Sequence, residues 1–231
     1  ETISSVSESP GQQRSGGHLE PFPGHFIPGL CFDSGHCVWL LEFTDTPTDI
    51  GPYTEFWVVT PEGDRLLYVD PGDAIDEVVA YHDFDRTTGA TISVDGQASP
   101  SVQVDCEGDD GTSVSVEVEL EETVGTQLLT GAVAVTPDVI LESTPGTMVS
   151  TVMLNALIDA NGLRVAGRTE TGRRYRLDVD AVSAISTATA SLDGADLGAV
   201  APPGRPIEFG DAKTTAEPIF APGTLFLERM A

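Results

Sequence analysis

Lysine is nearly absent from this sequence. Lys213 is the only one in 231 residues, and with ten arginines it faces 37 acidic side chains, for a formal net charge of −26. No basic stripe exists to neutralise phosphates, which excludes most nucleic-acid partners. Cysteine is scarce too: Cys31, Cys37 and Cys106 are an odd number without a CxxC pair. That argues against a disulfide framework and for a reducing, cytoplasmic compartment. Long hydrophobic runs are missing. Nothing approaches the ~18 apolar residues of a membrane span, and the first residues carry no signal-peptide core, so no membrane partner is expected. No P-loop, GxGxxG stretch, GxSxG elbow, HExxH pair or internal repeat occurs, which removes the common nucleotide, hydrolase and metalloprotease signatures. Cys31, His36 and Cys37 lie close together, but only His18 and His25 are near enough to complete the roughly four ligands of a zinc site. Cys37 opens an apolar strand and Cys106 falls on the apolar side of another, where cysteine acts as a small hydrophobe. No metal and no cofactor is expected.

What is present in abundance is acid, spread along the whole chain. Surface charges repel over a Debye length of roughly 10 Å at 0.1 M salt, which falls to about 3 Å in molar salt. A compact chain this acidic is therefore eased by concentrated salt, and the composition, rich in Ala, Gly, Thr and Val, looks like that of a salt-in halophile. At 40% hydrophobic residues the chain can bury a real core. Residues 1–20 are polar and without periodicity and read as a flexible arm; residues 21–231 read as a single domain.

From Cys37 onward the pattern is that of strands. Cys37–Phe43 and Thr54–Thr60 are apolar runs, and Arg65–Val69 follows the Pro61-Glu62-Gly63-Asp64 turn to make a hairpin with the second. After Asp70-Pro71-Gly72-Asp73 the period changes: Ala74, Ile75, Val78, Val79 and Tyr81 fit one helical face over 72–81. Strands resume at Ala90–Val94, Ser101–Cys106 and Ser113–Glu121. In the last, Val114, Val116, Val118 and Leu120 alternate with Glu117, Glu119 and Glu121. Met148–Ile158 fits either helix or strand. Leu163–Gly167 and Tyr175–Ala181 flank a turn at Thr171-Gly172, and Thr224–Glu228 forms a final strand. Many strands, one or two helices and no βαβ alternation predict a mostly β (α+β) fold, an antiparallel barrel or sandwich with inserted helices.

Gly51-Pro52-Tyr53-Thr54-Glu55 resembles the G-x-Y-x-E motif of the acetoacetate decarboxylase family, which also leads into an apolar strand. The strand pair after Glu55 and the helix ending at Ala80-Tyr81 follow in the same order. The stretch from Leu163 to Glu228 is likewise similar: a hairpin, a long strand, a crossing at Pro202-Pro203 and a final strand. The likeness spans residues 25–231 in layout and is specific around 50–60 and 74–86. It implies the family's antiparallel β-barrel or cone. That family works through a lysine imine, and its Ala-Tyr-Pro-Lys-Lys run corresponds here to Ala80-Tyr81-His82-Asp83-Phe84. Asp83 and Phe84 stand where the lysines belong, so an imine mechanism is not expected; Lys213 is far from that motif and reads as exposed.

Within this likeness Glu55 is the candidate catalytic carboxylate, with Tyr53, Glu42, His82 and Asp83 as candidate pocket residues. Glu42 also fits the polar face of an edge strand. His82 and Asp83 could form an acid/base pair, since histidine titrates near neutrality. Arg168, Arg174 and Arg176 sit in an arginine-rich hairpin suited to an anion, or to pairing with the chain's own acids. Three readings stay open: a protein without the imine lysine that binds a small organic (keto) acid or similar small molecule; a lyase-like acid-base enzyme using Glu55; and an assembly protein, for which a homo-oligomer is the expected partner.

Overall fold

The computed structural model describes residues 18–98, 100–121, 165–215 and 217–229. Fourteen strands are laid out in chain order among these residues. They are β1 (Leu19–Cys31), β2 (Cys37–Phe43), β3 (Tyr53–Val59), β4 (Arg65–Asp70), β5 (Arg86–Asp95), β6 (Ser101–Gly108), β7 (Ser113–Glu121), β8 (Ala166–Arg168), β9 (Arg174–Val179), β10 (Ser183–Leu192), β11 (Ala195–Asp196), β12 (Glu208–Phe209), β13 (Ala212–Lys213) and β14 (Ile219–Glu228). A 3-10 turn at Gly72–Ala74 runs into one short helix, α1 (Ile75–Val79). The expected helix over 72–81 is thus shorter. Its last turn carries β-branched Val78 and Val79 without a basic residue, and the Tyr81 and His82 N–H groups close it on the Val78 carbonyl.

Twelve strands form one sheet in the order β11-β10-β7-β6-β5-β4-β3-β2-β1-β14-β9-β8. A short pairing of Ser183 and Ala184 in β10 with Phe220 and Ile219 in β14 bends this sheet into a ring. The small hairpin β12–β13 stands apart from it. The mostly β character holds, and the pairing is antiparallel with one exception. Strands β4 and β5 run parallel, Leu66 beside Arg86 and Val69 beside Gly89, because α1 carries the chain across between them. Strand, helix and strand were each read in the sequence; the parallel pairing was missed because it falls on Arg86–Gly89, ahead of the strand read at Ala90–Val94.

Two hydrophobic layers follow from strand alternation. Inside the ring lie Ile27, Leu30, Val38, Leu40, Phe56, Val58, Val102, Val104, Cys106, Val114, Val116, Val118 and Phe220. The opposite face of β1 to β4 is covered as well. There Phe22, Phe26, Trp39, Phe43, Tyr53, Trp57, Leu67 and Val69 pack beneath Val78 and Tyr81 of the helical segment, Tyr175 of β9 and Phe209 of β12. Burial on both faces explains why β2 and β3 read as nearly continuous apolar runs, while β7 alternates with one wet face.

Strand β1 was not foreseen, since Pro21, Pro23 and Pro28 interrupt it. Leu19 and Glu20 already pair with Glu228 and Leu227, so the last residues of the expected arm belong to this strand. The prolines fit because of where their missing donors would point. The Pro23 carbonyl accepts from Thr44 N–H on the β2 side, so its nitrogen faces away from the β14 ladder, and Pro21 shares that direction by alternation. Pro28 sits in a bulge between Ile27 and Leu30. Gly29 there has φ +104°, a left-handed backbone that glycine adopts without strain.

The thiol expectation is corrected for one pair. Cys31 and Cys37 face each other as the last pair of the β1–β2 hairpin and are joined by a disulfide. Their spacing is that of a hairpin loop, which needs no CxxC motif. Cross-linked cysteines are characteristic of oxidising surroundings, so the cysteine argument for a reducing compartment falls. Cys106 is free and fully buried, and burial pushes its thiol up to about 12, aided by Glu107 and Asp110, so it stays an inert core residue. No helix among the described residues is long and apolar enough to cross a membrane. Met148–Ile158 lies outside the described residues, as does the first part of the N-terminal arm.

Candidate functional site

The covering layer over β1 to β4 is incomplete, and a cavity of about 110 Å³ remains beneath it. Its floor is the cross-strand pair Trp39 and Trp57, whose rings are 6.4 Å apart. These are the only two tryptophans in the chain. Phe26 and Pro28 of β1, Leu225 and Leu227 of β14, and Tyr175 and Leu177 of β9 form apolar walls. Phe209 of β12 caps the tryptophans, its ring 4.6 Å from Trp57 and 5.2 Å from Trp39. Three polar residues also line this space: His82, Thr169 and Lys213. Lys213, expected far from the Ala80–Phe84 motif, is half-exposed and lines the same cavity as His82 of that motif; its Nζ lies 2.6 Å from Glu208 Oε1 across the β12–β13 hairpin.

His82 is held by aromatic rings and one carboxylate. Its ring centre lies 5.1 Å from Trp57 and 5.8 Å from Phe209. Nδ1 is buried and stands 3.6 Å from Glu170 Oε2, just beyond hydrogen-bond length. Glu170 is itself gripped by the Arg65 guanidinium and by the Asp83 backbone N–H at 3.1 Å. Burial alone would raise this carboxyl, but His82, Arg65 and the Asp83 N–H outweigh it and hold it down to about 2. Arg65 also donates to the Glu208 carbonyl at 2.8 Å and lies 4.5 Å over Phe209, tying β4, the loop after α1 and the β12–β13 hairpin together.

Glu55 lies behind this cavity. It is 5% exposed, points to the same face as Trp57, and accepts the indole N–H of Trp57 at 2.9 Å. Burial drives its carboxyl up to about 8; the indole hydrogen bond opposes the rise and the charge of Glu77 adds to it. Tyr53, next on that face, is buried and its phenol is raised, first by burial and then by Glu55 and Glu77. Trp57 stands between this pair and the cavity, so neither Glu55 nor Tyr53 lines it.

The other candidates are dispersed. Asp83 is exposed and only its backbone engages Glu170. Glu42 is half-buried at one end of the ring, accepting from Gln97 Nε2 at 3.0 Å and lying 2.9 Å from His25 Nδ1, whose ring stacks on Phe220. Arg174 pairs with Glu228 at 3.2 Å and Arg176 with Asp178 at 2.9 Å, while Arg168 donates to the Gly172 carbonyl. Among the described residues no group of three or more His, Cys, Asp or Glu is placed to hold a metal ion. Sequence reasoning missed Glu170, Arg65, Lys213 and Thr169 as neighbours of His82. Tryptophans 39 and 57 were visible as members of apolar strands, and their shared face was the one available signal.

No protein-family model matches this chain, and neither a curated protein nor a solved structure is significantly similar to it.

Proposed function

We propose that the protein binds a small organic acid in the cavity above Trp39 and Trp57. The observation that carries this reading is an apolar, aromatic-floored space with one ammonium group and one imidazole at its edge. Pockets for small molecules combine apolar walls with a few placed polar groups, and an apolar cavity of roughly 150 Å³ accepts benzene. A space of about 110 Å³ suits a short apolar body of fewer atoms, with its carboxylate at Lys213. The ring with its covering layer is, in this reading, a variant of the acetoacetate decarboxylase-like scaffold in which Phe84 packs 5.2 Å from Trp57 where the family carries a lysine. The high-salt setting belongs to the same proposal, supported by the charge of −26. The Cys31–Cys37 disulfide speaks against a reducing cytoplasm as part of it.

Both tryptophans line the cavity, so intrinsic fluorescence reports its occupancy. Titration in molar potassium chloride with straight-chain acids from propionate to octanoate should give a saturable change for a short member. The matching primary alcohols should bind more weakly, and Lys213→Met should remove the preference for the acid. Equal response to acid and alcohol, unchanged in Lys213→Met, would refute the anion-binding role; no saturable response to any acid would refute the site.

A further inference from the structure

We propose that His82, positioned by Glu170, is a general base that removes a proton beside the carbonyl group of a small oxo acid held in the cavity. The inference rests on the binding reading above and adds a reaction to it. A useful base needs one ring nitrogen facing its substrate and the other held by a third group. His82 approaches the second condition: Nδ1 is buried and faces Glu170 at 3.6 Å, just beyond hydrogen-bond length, which turns Nε2 toward a ligand, and the residue lines the cavity. Such spacings tighten when a substrate is bound.

The orienting carboxylate is itself fixed, by the Arg65 guanidinium and the Asp83 N–H. The charged groups around His82 are therefore Glu170, with Arg65 behind it, and Lys213 across the cavity, paired with Glu208. The walls are apolar, which disfavours a hydrolytic water and favours a carbon acid held by its carboxylate at Lys213. In the step, Nε2 takes the proton. The C–H electron pair becomes a carbon–carbon double bond, and the carbonyl π pair moves to oxygen, while the carboxylate stays at the Lys213 ammonium. In deuterated water the imidazolium exchanges its proton for a solvent deuteron, and return of that deuteron to carbon regenerates the ketone, so the protons beside the carbonyl are replaced.

The test uses the whole chain in molar potassium chloride with 4-oxopentanoate as probe. Tryptophan fluorescence reads binding, and proton NMR in deuterated water reads loss of the signals flanking the carbonyl. The expected result is binding together with exchange faster than buffer, lowered about a hundredfold or more in His82→Gln while binding persists. Glu170→Gln should slow exchange and move the acid limb of its pH profile to lower pH, an effect that a purely structural role would not produce; Glu170→Asp should restore part of the rate. Binding without exchange above buffer overturns the catalytic inference and leaves the binding reading standing. Exchange that survives in His82→Gln overturns the role of His82. Absence of 4-oxopentanoate binding while a straight-chain acid still binds overturns this inference alone; absence of binding by every acid overturns both. If His82→Gln fails to show the parent tryptophan emission, the wild-type pH profile decides: a rate independent of pH across neutrality rules out an imidazole base.

Discussion

Strands β1 to β4 and strands β5 to β7 line the same ring but live in different surroundings. The first group is buried on both faces, the second on one. On β6 and β7 the outward positions carry Asp105, Glu117, Glu119 and Glu121, a wet face where ions screen the charges. On β2 and β3 the matching positions carry Trp39, Phe43, Tyr53 and Trp57, and the one acid among them, Glu55, is pushed up to about 8 by burial. The comparison teaches that the ring supplies a frame, and that the candidate site arises where a second layer covers that frame without filling the space.

The largest expected effect concerns the wet half. Below about 0.5 M potassium chloride the fold should loosen or unfold at neutral pH, because the net charge of −26 is then poorly screened. Circular dichroism across a salt series measures this, and replacing Glu117, Glu119 and Glu121 together by Gln should lower the salt needed. A thermal transition unchanged by salt would remove charge as the distinction between the halves.

Next is the seam inside the covered half. A methyl group on Gly24 would meet the Glu42 carbonyl oxygen at 1.9 Å, within the β1–β2 ladder. Gly24→Ala should cost more than about 4 kcal/mol or prevent folding. Gly204→Ala, which meets nothing within 4 Å, should be nearly neutral. Denaturant titration of the two variants separates them.

The smallest effect sharpens the contrast in electrostatics. The folded Glu55 carboxyl titrates near 8, against 4.5 in its ordinary state. Its folded value is raised, so its contribution is complete below pH 4.5, falls as the unfolded chain ionises, and is lost as pH rises through 8. At about 1.4 kcal/mol per pH unit, this is a decline of a few kcal/mol for a fully buried group. Glu55→Gln should match the parent near pH 4 and exceed it in stability above pH 8, by unfolding measured at fixed salt. Parallel pH curves would show that Glu55 is not held protonated.

The wet half was the legible half. Ser113–Glu121 was bounded in the sequence as the structure has it, since period-two alternation with Glu on the outer face has one reading. Strand β2 was bounded equally well, but nothing in its run of apolar residues says which neighbour covers its second face. The cover comes from the helical segment and from Arg174–Val179, both read in the sequence, and from the two-residue strands Glu208–Phe209 and Ala212–Lys213, too brief to show a period. Strand β1 was masked by prolines whose tolerance depends on which neighbour each nitrogen faces. At the site, His82 was singled out beside Asp83, its neighbour in sequence; the carboxylate near its ring is Glu170, brought there by the β8–β9 turn. Cys31 and Cys37 were separated in the reading by the lack of a motif and are joined in the structure by strand register.

The ring has a clasp. Most neighbouring strands meet along six or more residue pairs, yet β10 and β14 meet only at Ser183–Phe220 and Ala184–Ile219. A band closed by so short a join opens there first, since few ladder bonds must break and loops on either side absorb the movement. Opening the clasp bares Ile185 and Phe220 of the inner layer, while Trp39 and Trp57 stay covered from the other side of β2 and β3. The molecule can therefore breathe through its inner core without disturbing the cavity.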